Sequence, residues 1–283
     1  MIKSIDKKSK ILYTQEFEND KYLFSILFQN ILNSSTKVYS DEKNYIFCQG
    51  EKNKPIWIWT KDNFNLNVLS EIEHLISNHL TDSSQMKFTC KPKLHQLLMK
   101  ENYRYLNEQD YKEIGFLTCE NVKKNKACDG FIYIPNMYDI DLLSRYYYEN
   151  SLETKGINAI TYEQARIYIE NQLKNGNIYS NSDNTIYCWK NEDNKIVSLA
   201  TYSSNENYAK INNVFTPPEE RRKGYASNLI YCITKEILND QSKPIVYLSN
   251  NSNCNYNLYT NIGYVKSGSL INFTCSKVKI KRK

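Results

Sequence analysis

Apolar and polar positions change period several times between residues 185 and 264, and each change marks an element. Thr185 to Lys190 and Ile196 to Ser203 flank Asn191-Glu192-Asp193-Asn194, a run of turn-forming residues, which predicts a β-hairpin. Tyr208 to Thr216 predicts the next strand, β-branched and aromatic from Ile211 onward. Pro217-Pro218 ends it, because proline has no N–H for the ladder. The period then becomes helical: Ala226, Ile230, Ile233 and Ile237 share one face, with Asn228, Lys235 and Glu236 off it, as in a helix packed on a sheet. Pro244 to Ser249 is a short apolar run, the expected following strand. A helical crossover between two strands lets them lie parallel and side by side.

The flanking segments extend this unit. Met137 to Asn150 carries Ile140, Leu142, Leu143, Tyr146 and Tyr147 as a first helix, and Thr161-x-x-Gln164 is a capping box that opens a second, running to about Lys174. Tyr264 to Lys281 supplies one or two terminal strands. Nearer the start, Tyr45 to Gln49 and Pro55 to Thr60 predict a hairpin around Gly50-Glu51-Lys52-Asn53. A helix follows from Phe64 to Leu80 with Leu69, Ile72, Leu75 and Ile76 inward, then strand Met86 to Cys90, helix Pro92 to Glu101, and strand Ile114 to Glu120. Asn121 to Lys126 is polar and charged, suited to a linker. A chain of 283 residues exceeds a usual single domain. The expected organisation is α/β, α+β with mixed sheets, in two domains: residues 1–125 and residues 130–283.

Chemistry concentrates in Val214-Phe215-Thr216-Pro217-Pro218-Glu219-Glu220-Arg221-Arg222-Lys223-Gly224-Tyr225-Ala226-Ser227. A strand turning through a basic, glycine-bearing loop into a helix aims unpartnered first-turn N–H groups and the positive end of the helix dipole outward, a setting for phosphate. Arg221, Arg222 and Lys223 add charge, and Gly224 admits close backbone approach. The competing reading is an ordinary strand-loop-helix connection with a solvated charge run.

Arg221-x-x-Gly224-x-Ala226, led by Val214-Phe215-Thr216, resembles the acetyl-CoA signature of the GNAT acyltransferases, and Leu258-Tyr259-Thr260-Asn261-Ile262-Gly263-Tyr264 is similar to that family's closing helix and turn. The resemblance implies a GNAT fold over residues 130–283. In that fold two parallel strands splay and the pantetheine arm lies in the gap. Acetyl-CoA would be a co-substrate held by Val214, Phe215, Thr216, Arg221, Arg222, Lys223, Gly224, Tyr225, Ala226 and Ser227, with Asn253 and Tyr256 as further contacts. The family's proline is missing from Ser252 to Asn257. Tyr259 aligns with the family's general acid, and the backbone N–H of Phe215 with the group that polarises the thioester carbonyl. No carboxylate lies within Tyr208 to Thr216, which leaves Glu206 as a weak candidate base. Residues 1–125 are either a degenerate GNAT-like copy, with Lys61-Asp62-Asn63 in place of the glycine loop, or an unrelated small α+β domain.

Composition narrows the remaining classes. A net charge of +6 suits an anionic co-substrate without demanding nucleic acid or membrane. The eight cysteines contain no C-x-x-C pair and read as buried thiols. Cys254 lacks any histidine in the second half to activate it. His74, His79 and His95 do not make a metal set, so no metal is expected. The polar start and the lack of a membrane-length apolar run suggest a cytoplasmic protein. The expected function is transfer of an acetyl group from acetyl-CoA to an amine, a small molecule, with Asp139, Asp141 and Glu149 as candidate acceptor contacts. The alternative is a non-catalytic acyl-CoA-binding sensor or interaction module, and transfer to a protein lysine or N-terminus is a third. Neither acceptor identity nor oligomeric state is readable.

Overall fold

The chain runs through one succession of elements twice. The computed structural model describes residues 3–32, 36–50, 54–80, 85–100, 106–123, 126–175, 185–204, 208–239, 245–251 and 256–277. It divides into two compact units: Met1–Gly115 with Gly268–Lys283, and Phe116–Ser267. The first repeat is β1 (Lys3–Ser4), α1 (Gln15–Asp20), α2 (Ser25–Leu32), β2 (Lys37–Ser40), β3 (Tyr45–Gln49), β4 (Ile56–Thr60), α3 (Leu66–His79), β5 (Gln85–Cys90), α4 (Pro92–Lys100) and β6 (Leu106–Cys119). The second is β7 (Phe131–Tyr133), α5 (Ile140–Lys155), α6 (Tyr162–Asn175), β8 (Thr185–Lys190), β9 (Ile196–Ser204), β10 (Tyr208–Phe215), α7 (Tyr225–Asn239), β11 (Ile245–Asn251), α8 (Tyr256–Ile262) and β12 (Val265–Lys277).

Pairing repeats with order. β1 to β4 are joined antiparallel in succession and β4 pairs β5 in parallel, while β7 to β10 and then β11 do the same. Both units therefore hold a mixed sheet, as the α/β reading requires. The closing strands depart from simple duplication. From Gly268 onward β12 belongs to the first unit, where it pairs antiparallel with β5 from Ile271↔Cys90 to Ser276↔Gln85. The end of β6, from Phe116, belongs to the second, in which β6 neighbours β11. The units are thus bounded differently from the 1–125 and 130–283 reading.

Each core follows the helical and strand periods. In the first unit Val68, Leu69, Ile72 and Ile76 of α3 and Leu94 and Leu98 of α4 pack on Phe47, Ile58, Phe88, Ile271 and Phe273. In the second, Leu229, Ile230 and Ile233 of α7 cover Val197, Ala200, Ala209, Ile211, Val246 and Leu248 on one sheet face. Leu143 and Tyr146 of α5 and Ile169 of α6 cover Ile186, Ile196, Leu199 and Phe215 on the other. A buried Ile or Leu is worth roughly 1.5–3 kcal/mol, several times the helix-propensity deficit of Ile, about half a kcal/mol. Packing rather than propensity therefore holds α7. Asn228 departs from the expected pattern: it is buried, and its Nδ2 donates to the Lys126 carbonyl at 3.0 Å and the Gly224 carbonyl at 3.1 Å, so a polar side chain anchors the helix start.

The expected linker is also engaged. Lys123 N–H donates to the Ile262 carbonyl at 2.7 Å, tying the stretch after β6 to the end of α8. The hairpin turn at Glu51-Lys52-Asn53 lies outside the described residues. β1, α1, α2 and β2 went unread in the sequence, because this stretch mixes short elements of four to eight residues or fewer with no sustained period.

Candidate functional site

β10 and β11 run together only briefly. They pair at Tyr208↔Ile245, Ala209↔Val246 and Lys210↔Tyr247, and the register of β10 against β9 then shifts between Asn212 and Phe215. Asn213 sits in that shift at φ 46, a left-handed conformation that asparagine tolerates better than most residues. A bulge bends its strand, and this one is pinned: Asn213 Nδ2 donates to Thr201 Oγ1 at 3.2 Å and Ser198 Oγ donates to the Phe215 carbonyl at 3.0 Å. β3 and β4 of the first unit, by contrast, keep an unbroken register from Tyr45↔Thr60 to Gln49↔Ile56. Only the second unit, among the described residues, joins a parted strand pair to a basic glycine loop.

That loop begins with a 3-10 turn, Pro218–Glu220. Arg221 is extended, Arg222 is left-handed at φ 65, Gly224 has φ 92, and α7 starts at Tyr225 with Asn228 N–H donating to the Gly224 carbonyl at 3.0 Å. A Cβ at Gly224 would point at Cys128, 3.4 Å away, which is ordinary contact. The left-handed φ is the requirement for glycine that the backbone itself imposes there. Gly224, the residue before α7, has no side chain with which to cap the first turn, so it does not itself occupy those N–H groups, the kind that seat anions at helix starts. In the first unit the equivalent helix is self-capped: Asn65 Oδ1 accepts from Val68 N–H at 3.1 Å, and Asp62, in the preceding loop, pairs with Lys91 at 2.7 Å.

The three cations differ in availability. Arg221 donates through Nε to the Thr216 carbonyl at 2.8 Å and through a guanidinium nitrogen to Glu153 at 2.5 Å, so it braces the loop against α5. Lys223 pairs with Glu220 at 2.8 Å. Arg222 is exposed and, among the described residues, has no ion-pair partner. Tyr225 is buried with its hydroxyl donating to Asp129 at 3.3 Å, Ala226 is half-buried and Ser227 lies one residue further along the first turn.

Tyr259 is half-buried on α8, and the end of that helix fixes its place. Gly263 N–H donates to the Tyr259 and Thr260 carbonyls, both at 3.2 Å, and Tyr264 N–H to the Tyr259 carbonyl at 3.0 Å, the bonding of a Schellman cap. Gly263 has φ 120, and a Cβ on it would stand 2.5 Å from the Asn121 carbonyl oxygen. Glu206 and Asn253 lie outside the described residues, as does the side chain of Tyr256, the first residue of α8.

A cavity of ≈ 400 Å³ opens between α5 and the 3-10 turn, lined by Arg145, Tyr146, Glu149, Leu152, Glu153, Pro218 and Glu219. Of the acidic residues singled out in the sequence, only Glu149 lines it. Asp139 accepts from the Tyr133 hydroxyl at 2.9 Å and the Asn136 N–H at 3.0 Å, and Asp141 pairs with Arg166, so both serve local structure. Sequence reasoning missed Glu153 and Asp129, whose partners lie 68 and 96 residues away. It also missed Lys210, which strict alternation along the strand would have put on the face opposite Ala209 and Ile211. Among the described residues no group of three or more His, Cys, Asp or Glu could hold a metal ion, and no helix is long and apolar enough to cross a membrane.

Residues 192–271, which contain β9, the parted strands, the loop, α7 and α8, match the family model described as FR47-like protein. A search of curated proteins gives no match. Solved structures with the same fold include a GCN5-related N-acetyltransferase from Sphaerobacter thermophilus, with a TM-score of 0.63 at 11% identity, covering 98% of this chain and 95% of that one. A GNAT-family acetyltransferase from Colwellia psychrerythraea gives 0.54 at 13% identity over 97% and 99%. A tandem GNAT protein from the clavulanic acid biosynthesis pathway gives 0.53 at 8% identity over 100% and 99%. The chain resembles the GNAT family in its sequence signature, and its fold is the GNAT fold. The tandem match accords with the doubled element order.

Proposed function

We propose that the second unit is an acetyl-CoA-dependent N-acetyltransferase that moves an acetyl group directly to the amine of a small molecule. The observation that carries this reading is the parting of β10 from β11 after Lys210, leading to a left-handed basic loop at a helix start preceded by glycine. A slot for an extended arm and a seat for its diphosphate thereby follow one another along the chain.

Acetyl-CoA supplies an activated thioester. Amides of the first turn at Tyr225, Ala226 and Ser227, with Arg222, take the diphosphate, and Lys223 contributes once released from Glu220. Val214, Phe215 and Thr216 present backbone to the arm, and the Phe215 N–H polarises the thioester carbonyl. The Phe215 side chain is committed to the core beside Tyr146, at 5.5 Å between rings, so its main chain is the part that serves. The amine, arriving neutral, forms the new C–N bond as the C–S bond breaks; the proton that nitrogen sheds passes through water to the departing sulfur, which Tyr259 stabilises by donating a hydrogen bond. A phenol near pKa 10 giving a proton to a thiolate near 8.5 goes uphill by about 2 kcal/mol, so hydrogen bonding suffices for this role.

Isothermal calorimetry with acetyl-CoA and coenzyme A, followed by thiol release over an amine panel, tests the reading. Micromolar binding with turnover of at least one amine is expected. Binding without turnover favours a sensor, and absence of binding by folded protein removes the reading.

A further inference from the structure

Lys210 stands at the last recorded pair between β10 and β11, opposite Tyr247, where the strands begin to part. Alternation places Ala209 and Ile211 in the core beneath α7 and directs Lys210 to the other sheet face. There its ammonium lies 5.9 Å from the Tyr247 ring centre, and Tyr208 meets the same ring edge-on at 5.3 Å. Its neighbours across β9 and along β10 are neutral: Ser203 is its register partner, and Asn212 Nδ2 donates to Ser203 Oγ and to the Lys210 carbonyl, both at 3.3 Å. Lys210 is half-buried and has no carboxylate partner among the described residues.

A cation held partly out of water among aromatic rings and neutral amides lacks an anion. Burial lowers the pKa of this amine from its ordinary value, as expected for a charge without a counter-ion. Its backbone position is at the inner end of the gap assigned above to the acyl arm, so what meets it is the acceptor side of the reaction. A protonated acceptor amine would be repelled there. A carboxylate on the acceptor would be attracted, turning the amine away from Lys210 and toward the gap.

We propose that Lys210 is the specificity-determining cation of this site and that the acceptor is an amine that also carries a carboxylate, of the amino-acid class. This rests on the acetyl-transfer reading for the reaction, while carboxylate binding can be measured without it.

The experiment uses the full chain and matched pairs differing by one carboxylate: phenylalanine with phenethylamine, and lysine with cadaverine. Acetyl-CoA turnover and thermal stabilisation in the presence of coenzyme A are both read, for the native protein and for Lys210→Met and Lys210→Arg. The expected result is a preference of about tenfold or more in kcat/KM or affinity for the carboxylate-bearing member. It should vanish in Lys210→Met and be retained in part in Lys210→Arg, whose charge is kept. Equal or better use of the decarboxylated amines by the native protein overturns the proposal, as does a preference that survives in Lys210→Met. If no amine is turned over, the transfer reading fails alone, and the stabilisation data decide for Lys210: a carboxylate-dependent shift lost in Lys210→Met supports it, and no such shift overturns it. Should Lys210→Met not fold, Lys210→Arg and the native preference decide.

Discussion

Tyr264 donates its N–H to the Tyr259 carbonyl at 3.0 Å and sets its ring edge-on to the Tyr259 ring at 6.0 Å, so the residue after the helix cap fixes the proposed acid from two directions. The glycine between cap and ring makes this geometry possible. Gly263→Ala forces a side chain into φ 120 and against the Asn121 carbonyl at 2.5 Å. A stability loss of about 2 kcal/mol or more is expected, read as a lower urea midpoint at unchanged slope.

Tyr259→Phe keeps the ring and removes the hydroxyl. Under the proposed mechanism kcat falls roughly 10- to 100-fold, while the KM for acetyl-CoA stays within about twofold, because a phenol acting on developing thiolate contributes little to ground-state binding. Stopped-time assays of thiol release measure both. A KM effect with unchanged kcat would make Tyr259 a packing residue only.

Arg222 carries two opposing effects. At φ 65 an arginine is strained by about 1 kcal/mol, so Arg222→Gly is expected to raise the melting temperature slightly. The same change removes the cation that is unpaired among the described residues of the loop, and coenzyme A should bind about tenfold more weakly, with a flatter dependence on salt. Calorimetry at two ionic strengths and a thermal melt separate the two.

Tyr264 is buried, and its hydroxyl shares a 2.7 Å hydrogen bond with Thr234. Burial raises its pKa well above 10, with the Thr234 hydrogen bond acting in the opposite direction. The sign of the pH effect follows: the folded state favours the neutral phenol, so this stabilisation is whole below the unfolded pKa near 10 and is lost as pH rises beyond it. Each such group removes up to about 1.4 kcal/mol per pH unit. Tyr264→Phe should flatten the decline of stability above pH 10, at a cost of about 1–3 kcal/mol at pH 7 for the buried Thr234 hydroxyl left behind. Urea titrations from pH 7 to 11 measure both.

What was legible in the sequence were the elements with a sustained period or a terminal signature. The expected Tyr45 to Gln49 strand is β3, Thr161 and Gln164 form the reciprocal capping box at 2.9 and 3.2 Å, and the switch from strand to helix at Gly224 stands where the period changed. The bulge at Asn213 was not legible, since it depends on Thr201 and Ser198 from the neighbouring strand. Nor was the division of labour among Arg221, Arg222 and Lys223, which is decided by Glu153 on a distant helix and Glu220 in the turn. The reason for Gly263 was hidden as well, because the obstructing oxygen belongs to Asn121, 142 positions earlier in the chain.

Placing Ile271, Phe273 and Cys275 in the core with Phe88 and Cys90 has a consequence for synthesis on the ribosome. Domains ordinarily mature in the order in which they emerge, but here the earlier-made body waits for β12, and until then β5 presents an open edge to solvent or to chaperones. Nascent chains stalled before residue 265 should therefore remain sensitive to protease throughout residues 37–100, and acquire resistance only when the final strand has been released.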